Sequence, residues 1–113
     1  MPTTADTFNA VAETRRREIL DLLAVGERPV NDLVAMTGMG QPQVSKHLRV
    51  LREVGAVRSR DQGRRRLYRV EPEALRPIFE WVSPYQRLWE ERFEQLDDVL
   101  AQMKEEEGDG DDG

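Results

Sequence analysis

The chain has 113 residues, of which 38% are apolar and 35% charged, so it has room for one domain with a single modest core. It contains no cysteine, which excludes disulfides and thiolate metal ligands, and its only histidine is His47. This composition offers no nucleophile with a partner base, so we expect no enzymatic activity. The sequence has no apolar run long enough to span a membrane and no pattern of a secretion signal, so we expect a cytoplasmic protein.

The net charge of −5 hides an uneven distribution along the chain. Residues 41–70 carry nine basic side chains against two acidic ones, a local charge of +7. Residues 83–113 carry three against eleven, a local charge of −8. Positive charge concentrated in one stretch is typical of surfaces that bind nucleic-acid phosphates. An ordinary solvated surface, on which exposed arginines are common, is the alternative interpretation.

The first forty residues predict three helices and a turn. Residues 4–13 have apolar side chains at helical spacing, and a second, strongly apolar helix ends before Gly26. Pro29 prevents its continuation, and Asn31 is a suitable N-cap for a third, short helix. Residues 37–40 then predict a tight turn, because the two glycines among them can adopt positive φ.

A fourth helix is predicted from Gln41 to Val54, with Pro42 in its first turn and Gly55 as a left-handed stop. Its apolar positions form one buried stripe, which consists of Val44, Leu48 and Leu51. The opposite face and its flanks are polar. In the major groove of DNA, glutamine suits adenine, whereas lysine and arginine suit guanine or a phosphate. The candidate DNA contacts are Gln41, Gln43, Ser45, Lys46, His47 and Arg49, although packing on the shoulder of the stripe is the competing interpretation for the histidine.

A β-hairpin is predicted next, from residues 57–62 and 65–70 with a two-residue turn. The side chains expected to point inward are those of Val57, Leu67 and Val70. The arginines at the tip can lie along the DNA backbone or enter the minor groove, and these are Arg64, Arg65 and Arg66. A short helix, a turn, a polar-faced helix and a basic hairpin, in this order, predict a mainly α-helical winged helix-turn-helix protein that binds DNA.

Two helices are predicted after the hairpin, a short one over residues 71–81 and a long one from residue 83. Apolar residues recur on the long helix at steps of three and four, in a seam suited to pair with a helix of a second copy. The seam consists of Tyr85, Trp89, Phe93, Leu96, Leu100 and Met103. Residues 105–113 are acidic and of low complexity. We therefore expect a domain for DNA binding and dimerisation over residues 1–104 and a disordered acidic tail over residues 105–113.

Three motifs together resemble the ArsR/SmtB family of bacterial repressors. They are S-K-H-L-x-x-L-x-x-x-G-x-V over residues 45–57, the wing G-R-R-R-L-Y-R-V over residues 63–70, and R-R-x-x-I-L-x-L-L over residues 15–23. The resemblance implies a homodimer with the order α-α-α-α-β-β-α, which represses transcription from operator DNA read by the fourth helix. It also implies a subunit interface of the first and last helices, here Phe8, Val11, Tyr85, Trp89, Phe93, Leu96 and Leu100. A winged-helix module for protein–protein contacts, without DNA affinity, is the alternative, and the basic residues argue against it.

The sequence leaves open whether the protein responds to an effector. The family's thiolate metal site falls on residues 30–33, which have no sulfur ligand here. Carboxylates from two subunits, with His47 assisting, remain candidates for a nickel or zinc site, namely Glu90, Glu91, Glu94, Asp97 and Asp98. A solvated helix face is the competing interpretation of these acids. An organic-effector pocket lined by Trp81, Tyr85 and Trp89 competes in the same way with packing.

Overall fold

The computed structural model describes residues 2–111, and the side chains of residues 2–105. In chain order the elements are α1 (Thr4–Ala12), α2 (Thr14–Val25), β1 (Arg28–Pro29), α3 (Val30–Thr37), α4 (Gln41–Glu53), β2 (Val57–Gln62), β3 (Arg65–Val70) and, after a short 3-10 turn at Pro72–Leu75, α5 (Arg76–Asp111). This order confirms the predicted winged helix-turn-helix class. The chain divides into two compact units after Ile78, so most of α5 forms a unit of its own.

The core of the first unit is built from α2, α3, α4 and the start of β2. Its fully buried side chains are Ile19, Leu33, Val44, Leu48, Leu51 and Val57. Three of the six come from α4, because its apolar residues fall three and four positions apart on one face. The predicted stripe of α4 is thereby confirmed. Burial of each such side chain contributes roughly 1.5–3 kcal/mol.

Helix α1 packs on this core mainly through Ala10, with Val11 partly buried against it. Its buried residues are Thr7 and Ala10, whereas Phe8 and Val11 are half-buried and Ala12 is exposed. The face with Phe8 and Val11 is therefore only partly covered within the described residues of one chain.

Helix α3 begins at Val30, so the prediction of Asn31 as its N-cap is wrong. Pro29 occupies the N-cap position, with φ −75° and ψ 162° and no side-chain cap. The reason is strand β1, which pairs with β3 through Arg28 opposite Tyr68 and holds the backbone extended up to the helix. A proline is tolerated in such an edge strand, where its missing N–H costs no ladder hydrogen bond.

Two glycines adopt the left-handed backbone that the helix ends around α4 require. Gly38, which ends α3, has φ 75°, and Gly55, after α4, has φ 77° as predicted. Gly40 is extended at φ −69°, so only one glycine of the turn over residues 37–40 needs positive φ. The turn places Met39 in the core, where it is 7% exposed.

The hairpin of β2 and β3 has the predicted bounds and turn. Val57 lies opposite Val70 and Gln62 opposite Arg65, which leaves a two-residue turn whose first residue, Gly63, has φ 63°. Side chains alternate between the faces of a sheet, so Val57 and Val70 share a face while Leu67, three positions from Val70, lies on the other. All three predicted inward side chains are covered: Val57 is buried in the core, Val70 is partly buried against it, and Leu67 is 8% exposed on the opposite face.

Helix α5 continues through residues 83–84, where a new helix was expected to start. Pro84 has no N–H to donate to the carbonyl oxygen of Glu80. The hydroxyl of Ser83 donates to that oxygen at 3.4 Å, a long hydrogen bond that gives it a partner in place of the missing N–H. Although α5 has 36 residues, neither it nor any other helix over residues 2–111 has the apolar length that a membrane crossing needs.

The disordered tail expected over residues 105–113 stays a prediction. The side chains from residue 106 onward, and the whole of residues 112 and 113, lie outside the described residues.

Candidate nucleic-acid interface

The outward face of α4 is polar and exposed. Five of the six predicted contacts on this helix are exposed: Gln41, Gln43, Ser45, Lys46 and Arg49. Their exposure follows from the buried stripe, which fixes the opposite side of the helix against the core. The helix starts at Gln41 without a side-chain cap, Pro42 has no N–H, and the N–H of Gln43 donates to the carbonyl oxygen of Gly40 at 3.1 Å. The positive end of the helix dipole favours an approaching phosphate.

His47 differs from the other candidates on α4. Its ring is half-buried, and Nδ1 is fully buried with no hydrogen-bond partner within the described part of the chain. Burial lowers the pKa of His47, and the nearby positive charge of Arg16 lowers it further, while Glu13 opposes them. The structure therefore places a neutral His47 on the side of α4 that faces the start of α2, beside the exposed face and not on it.

Carboxylates hold the arginines at the base of the hairpin. Arg60 forms a two-pronged pair with Glu27, at 2.8 and 3.1 Å, and this hydrogen bond lowers the pKa of Glu27. Arg69 donates to Glu71 at 2.9 Å, and Arg58 lies 3.9 Å from the same carboxylate. These three cations are already partnered, and they fix the hairpin to its surroundings.

The tip of the hairpin carries unpaired positive charge. Arg64 and Arg65 are exposed and form no ion pair with any described residue. Arg66 is exposed too, and its Nε lies 3.3 Å from Asp61. A groove of about 380 Å³ separates these arginines from the first residues of α3, among them Asn31. A strand of phosphates passing the tip would meet three guanidinium groups along one side of this groove.

Arg52 belongs to the same positive surface, although the sequence analysis did not select it. It is exposed in the last turn of α4, three positions after Arg49. Residues three apart are neighbours on a helix surface, so this spacing was the signal that could have identified it.

The predicted seam of α5 is exposed. Its side chains have between 46% and 65% of their surface accessible, and they are Tyr85, Trp89, Phe93, Leu96, Leu100 and Met103. Leu88 and Val99, at 51% and 50%, widen the seam, and each lies three positions after a seam residue. These side chains are about half exposed along the whole of the seam.

The predicted effector residues do not assemble into a metal site in one copy. Residues 2–105 contain no group of three or more histidine, aspartate or glutamate side chains that could hold a metal ion. The carboxylates from Glu90 to Asp98 are exposed along α5. The rings of Trp81 and Tyr85 lie 5.8 Å apart at 56°, and Trp81 is 60% exposed.

Comparison with known proteins places this geometry among bacterial regulators. A family model described as "Bacterial regulatory protein, arsR family" matches residues 13–59, which contain α2, α3 and α4. The HTH-type transcriptional regulator Rv0324 of Mycobacterium tuberculosis is 41% identical over 74 residues, which are 66% of this chain and 33% of that protein. The chain spans 33%, 64% and 56% of the length of the first three curated relatives that it matches.

Two solved structures are similar over most of their own length. One is the crystal structure of a possible transcriptional regulator for arsenical resistance, 35% identical, with a TM-score of 0.65 and coverage of 76% of this chain and 95% of that one. The other is the homodimeric winged helix-turn-helix DNA-binding domain of a possible ArsR-family regulator from Mycobacterium bovis. It is 37% identical, with a TM-score of 0.61 and coverage of 74% of this chain and 77% of that one.

Proposed function

The chain belongs to the ArsR family of bacterial regulatory proteins, and on that premise we propose that it represses transcription by binding operator DNA as a homodimer. The observation that carries the proposal is the pairing of an exposed, polar and basic face on α4 with unpaired arginines at the tip of the adjoining hairpin. A polyanion with a groove wide enough for a helix is the partner that this combination suits.

Helix α4 reads the bases in this proposal. The major groove is about 12 Å wide and accepts one helix, whose first turns then face the base edges. Gln41 and Gln43 suit adenine, Lys46 and Arg49 suit guanine or a phosphate, and Ser45 suits either kind of contact. His47 borders this surface beside Lys46. Each good two-pronged contact discriminates against a wrong base by about 1–3 kcal/mol.

The hairpin positions the protein on the duplex. Arg64 and Arg65, which have no carboxylate partner among the described side chains, contact phosphates or enter the minor groove, and Arg66 joins them by giving up its exposed pair with Asp61. An exposed ion pair is worth only about 0–1 kcal/mol, so exchanging Asp61 for a phosphate costs little. These contacts fix the register of the protein and carry little sequence information.

A second copy covers the apolar seam of α5, together with Phe8 and Val11 of α1. The length and exposure of the seam support this, as does the homodimeric state of the Mycobacterium bovis domain. A dimer presents two copies of α4 to two half-sites, so dimerisation and DNA affinity are linked. A nickel or zinc effector, held by α5 carboxylates of both copies, stays a prediction of the sequence.

The test is a binding titration with labelled duplex from upstream of the protein's own gene. The variant Lys46→Ala/Arg49→Ala removes two cations from the exposed face of α4, and we expect it to fold normally and lose about a hundredfold in affinity. The control Arg87→Ala/Arg92→Ala removes the same charge from α5 and should bind like wild type. Equal affinity of the α4 variant and wild type would reject α4 as the reading helix and favour the protein-interaction alternative.

A further inference from the structure

Helix α1 ends without any of the usual carboxy-terminal caps. The last four carbonyl groups of a helix have no partner within the helix, and a glycine in the left-handed conformation often satisfies some of them. Here the helix ends at Glu13, whose backbone is extended at φ −82° and ψ 123°. The carbonyl groups of residues 9–12 therefore need donors from elsewhere.

The side chains of Arg16 and Arg17 in α2 donate hydrogen bonds to the carbonyl oxygens of residues 9–12. Arg16 donates from Nε to the carbonyl oxygen of Ala10 at 2.6 Å, and from Nη2 to that of Asn9 at 3.2 Å. Arg17 donates from Nη1 to the next two carbonyl oxygens along the helix, at 2.8 and 3.0 Å. The planar fork of a guanidinium suits such paired acceptors, and its charge suits the negative end of the helix dipole.

These contacts add to the packing of α1, whose Ala10 and Val11 lie against the core. A helix of nine residues is too short to be stable alone in water, and only Thr7 and Ala10 of α1 are buried. Its amino-terminal end is secured by a capping box of Thr3 and Asp6, with hydrogen bonds of 2.9 and 3.2 Å. The two arginines therefore fix the carboxy-terminal end of α1 on α2.

Arg15, the residue before Arg16, has a different partner. It pairs with Glu18 at 3.0 Å, an exposed contact between successive turns of α2. Replacing Arg15 by glutamine lowers the net charge by one, as the same replacement of Arg17 does, but leaves the carbonyl oxygens of α1 with their donors. The chain thus contains a matched control for the effect of charge alone.

We infer that Arg16 and Arg17 are positioning residues of the subunit interface: they hold α1 so that the face with Phe8 and Val11 meets the second copy, and they do not contact DNA phosphates. The inference rests on the proposed homodimer. It assigns a structural reason to an arginine cluster that charge alone would assign to nucleic-acid binding.

The experiment compares Arg16→Gln/Arg17→Gln, Arg17→Lys and Arg15→Gln with wild type. Sedimentation equilibrium, far below the midpoint of thermal unfolding, measures the dimer dissociation constant of the full chain. Hydrogen bonds from a charged donor are stronger than those between neutral groups, so we expect the double variant to raise this constant about tenfold or more. Arg17→Lys keeps the charge without the fork and should show a smaller increase, and Arg15→Gln none.

Salt dependence of DNA binding separates positioning from phosphate contact. A lost phosphate contact lowers the slope of log affinity against log salt by about 0.9. At protein concentrations where the double variant is dimeric, we expect its slope to equal that of wild type, as that of Arg15→Gln should. A slope lowered by about 3.6 in the double variant, for four contacts in a dimer, would overturn the inference. An unchanged dimer constant despite a lowered unfolding midpoint would also overturn it, because the arginines would then only stabilise the fold. Should the double variant not fold, Arg17→Lys decides the question.

Failure of the inference can be told from failure of the proposed function. A wild-type protein that sediments as a monomer would refute the homodimer, and with it the inference. If the wild type is a dimer and all three variants have its dissociation constant, the inference alone is refuted. Helix α5 would then be the element that joins the subunits.

Discussion

Helices α4 and α5 are both amphipathic, but their apolar sides differ in solvent exposure. The stripe of α4 is at most 1% exposed, whereas the seam of α5 is at least 46% exposed. Their charges also differ, because residues 41–53 carry three basic side chains against one acid and residues 76–111 carry four against eleven. The comparison teaches that helical periodicity identifies an apolar face without identifying its partner. The partner of α4 is its own chain, which leaves a basic face for DNA, whereas α5 still lacks a partner for its apolar face.

The comparison also explains why the total charge is a poor guide here. A net charge of −5 taken alone argues against nucleic-acid binding. The acids lie mainly on α5 and beyond it, and the cations on α4 and the hairpin. A bound phosphate interacts mainly with charges within a Debye length, about 8 Å at physiological salt. The local charge of the proposed reading surface is therefore the relevant quantity.

The largest expected effect comes from breaking the seam of α5. Leu96→Glu places a charge in the middle of the proposed dimer contact, where burial without a partner is strongly unfavourable. We expect sedimentation to show a monomer, and operator affinity to fall about a hundredfold, or about 2.7 kcal/mol, through loss of the second half-site. Gln102→Glu adds the same charge at an exposed polar position of α5 and is the control. A dimeric Leu96→Glu protein would show that α5 does not join the subunits.

A smaller effect should separate the free arginines of the hairpin from the partnered ones. Arg64→Gln/Arg65→Gln removes two unpaired cations from each copy, so we expect an affinity loss of about tenfold and, for four contacts in a dimer, a salt slope reduced by about 3.6. Arg58→Gln/Arg69→Gln removes the same charge from side chains that contact Glu71. Its slope should stay near that of wild type. The reverse order of the two slopes would mean that the base of the hairpin, and not its tip, contacts the backbone.

The smallest expected effect concerns the pH dependence of stability. Burial and the charge of Arg16, with smaller contributions from Lys46 and Arg15 and opposed by Glu13, lower the pKa of His47 below its ordinary value of 6.5. The folded protein then binds its proton less readily than the unfolded chain does. The free energy of unfolding is unaffected above pH 6.5 and decreases as the pH falls through the lowered pKa.

Urea unfolding of wild type and His47→Gln at a series of pH values measures this contribution. We expect the stability of His47→Gln to decrease less on acidification, because the variant has no proton to take up at this position. Parallel pH profiles of the two proteins would contradict the burial of a neutral imidazole beside α2.

The elements predicted well are those whose signals are local. The stripe of α4 and its stop at Gly55 follow from spacing and from one glycine, and the hairpin register follows from a two-residue turn at Gly63. Strand β1 was missed because two residues, one of them a proline, have no periodicity, and they form a strand only by pairing with β3. The break at Pro84 was expected from a general rule, and the hydroxyl of Ser83 is the local exception to it.

The candidate interface was predictable as a set of residues, but its internal division was not. Spacing alone identified the arginines at the tip of the hairpin. It could not reveal that Arg60 is paired with Glu27, which lies 33 positions away in sequence. In the same way, nothing local reveals that Arg16 caps α1 or that His47 turns toward α2. Such roles depend on tertiary contacts, which sequence spacing does not encode.

The most direct test of the central claim is the salt dependence of wild-type binding to duplex DNA from upstream of its own gene. On α4 and at the tip of the hairpin, five cations of each copy lack an ion pair within the described residues: Lys46, Arg49, Arg52, Arg64 and Arg65. If all of them contact phosphates, log affinity should fall with log salt at a slope approaching about −9 for a dimer, at about −0.9 per contact. Saturable binding with a steep slope of this order is the predicted result. Absence of saturable binding, or a slope near zero, would contradict the account.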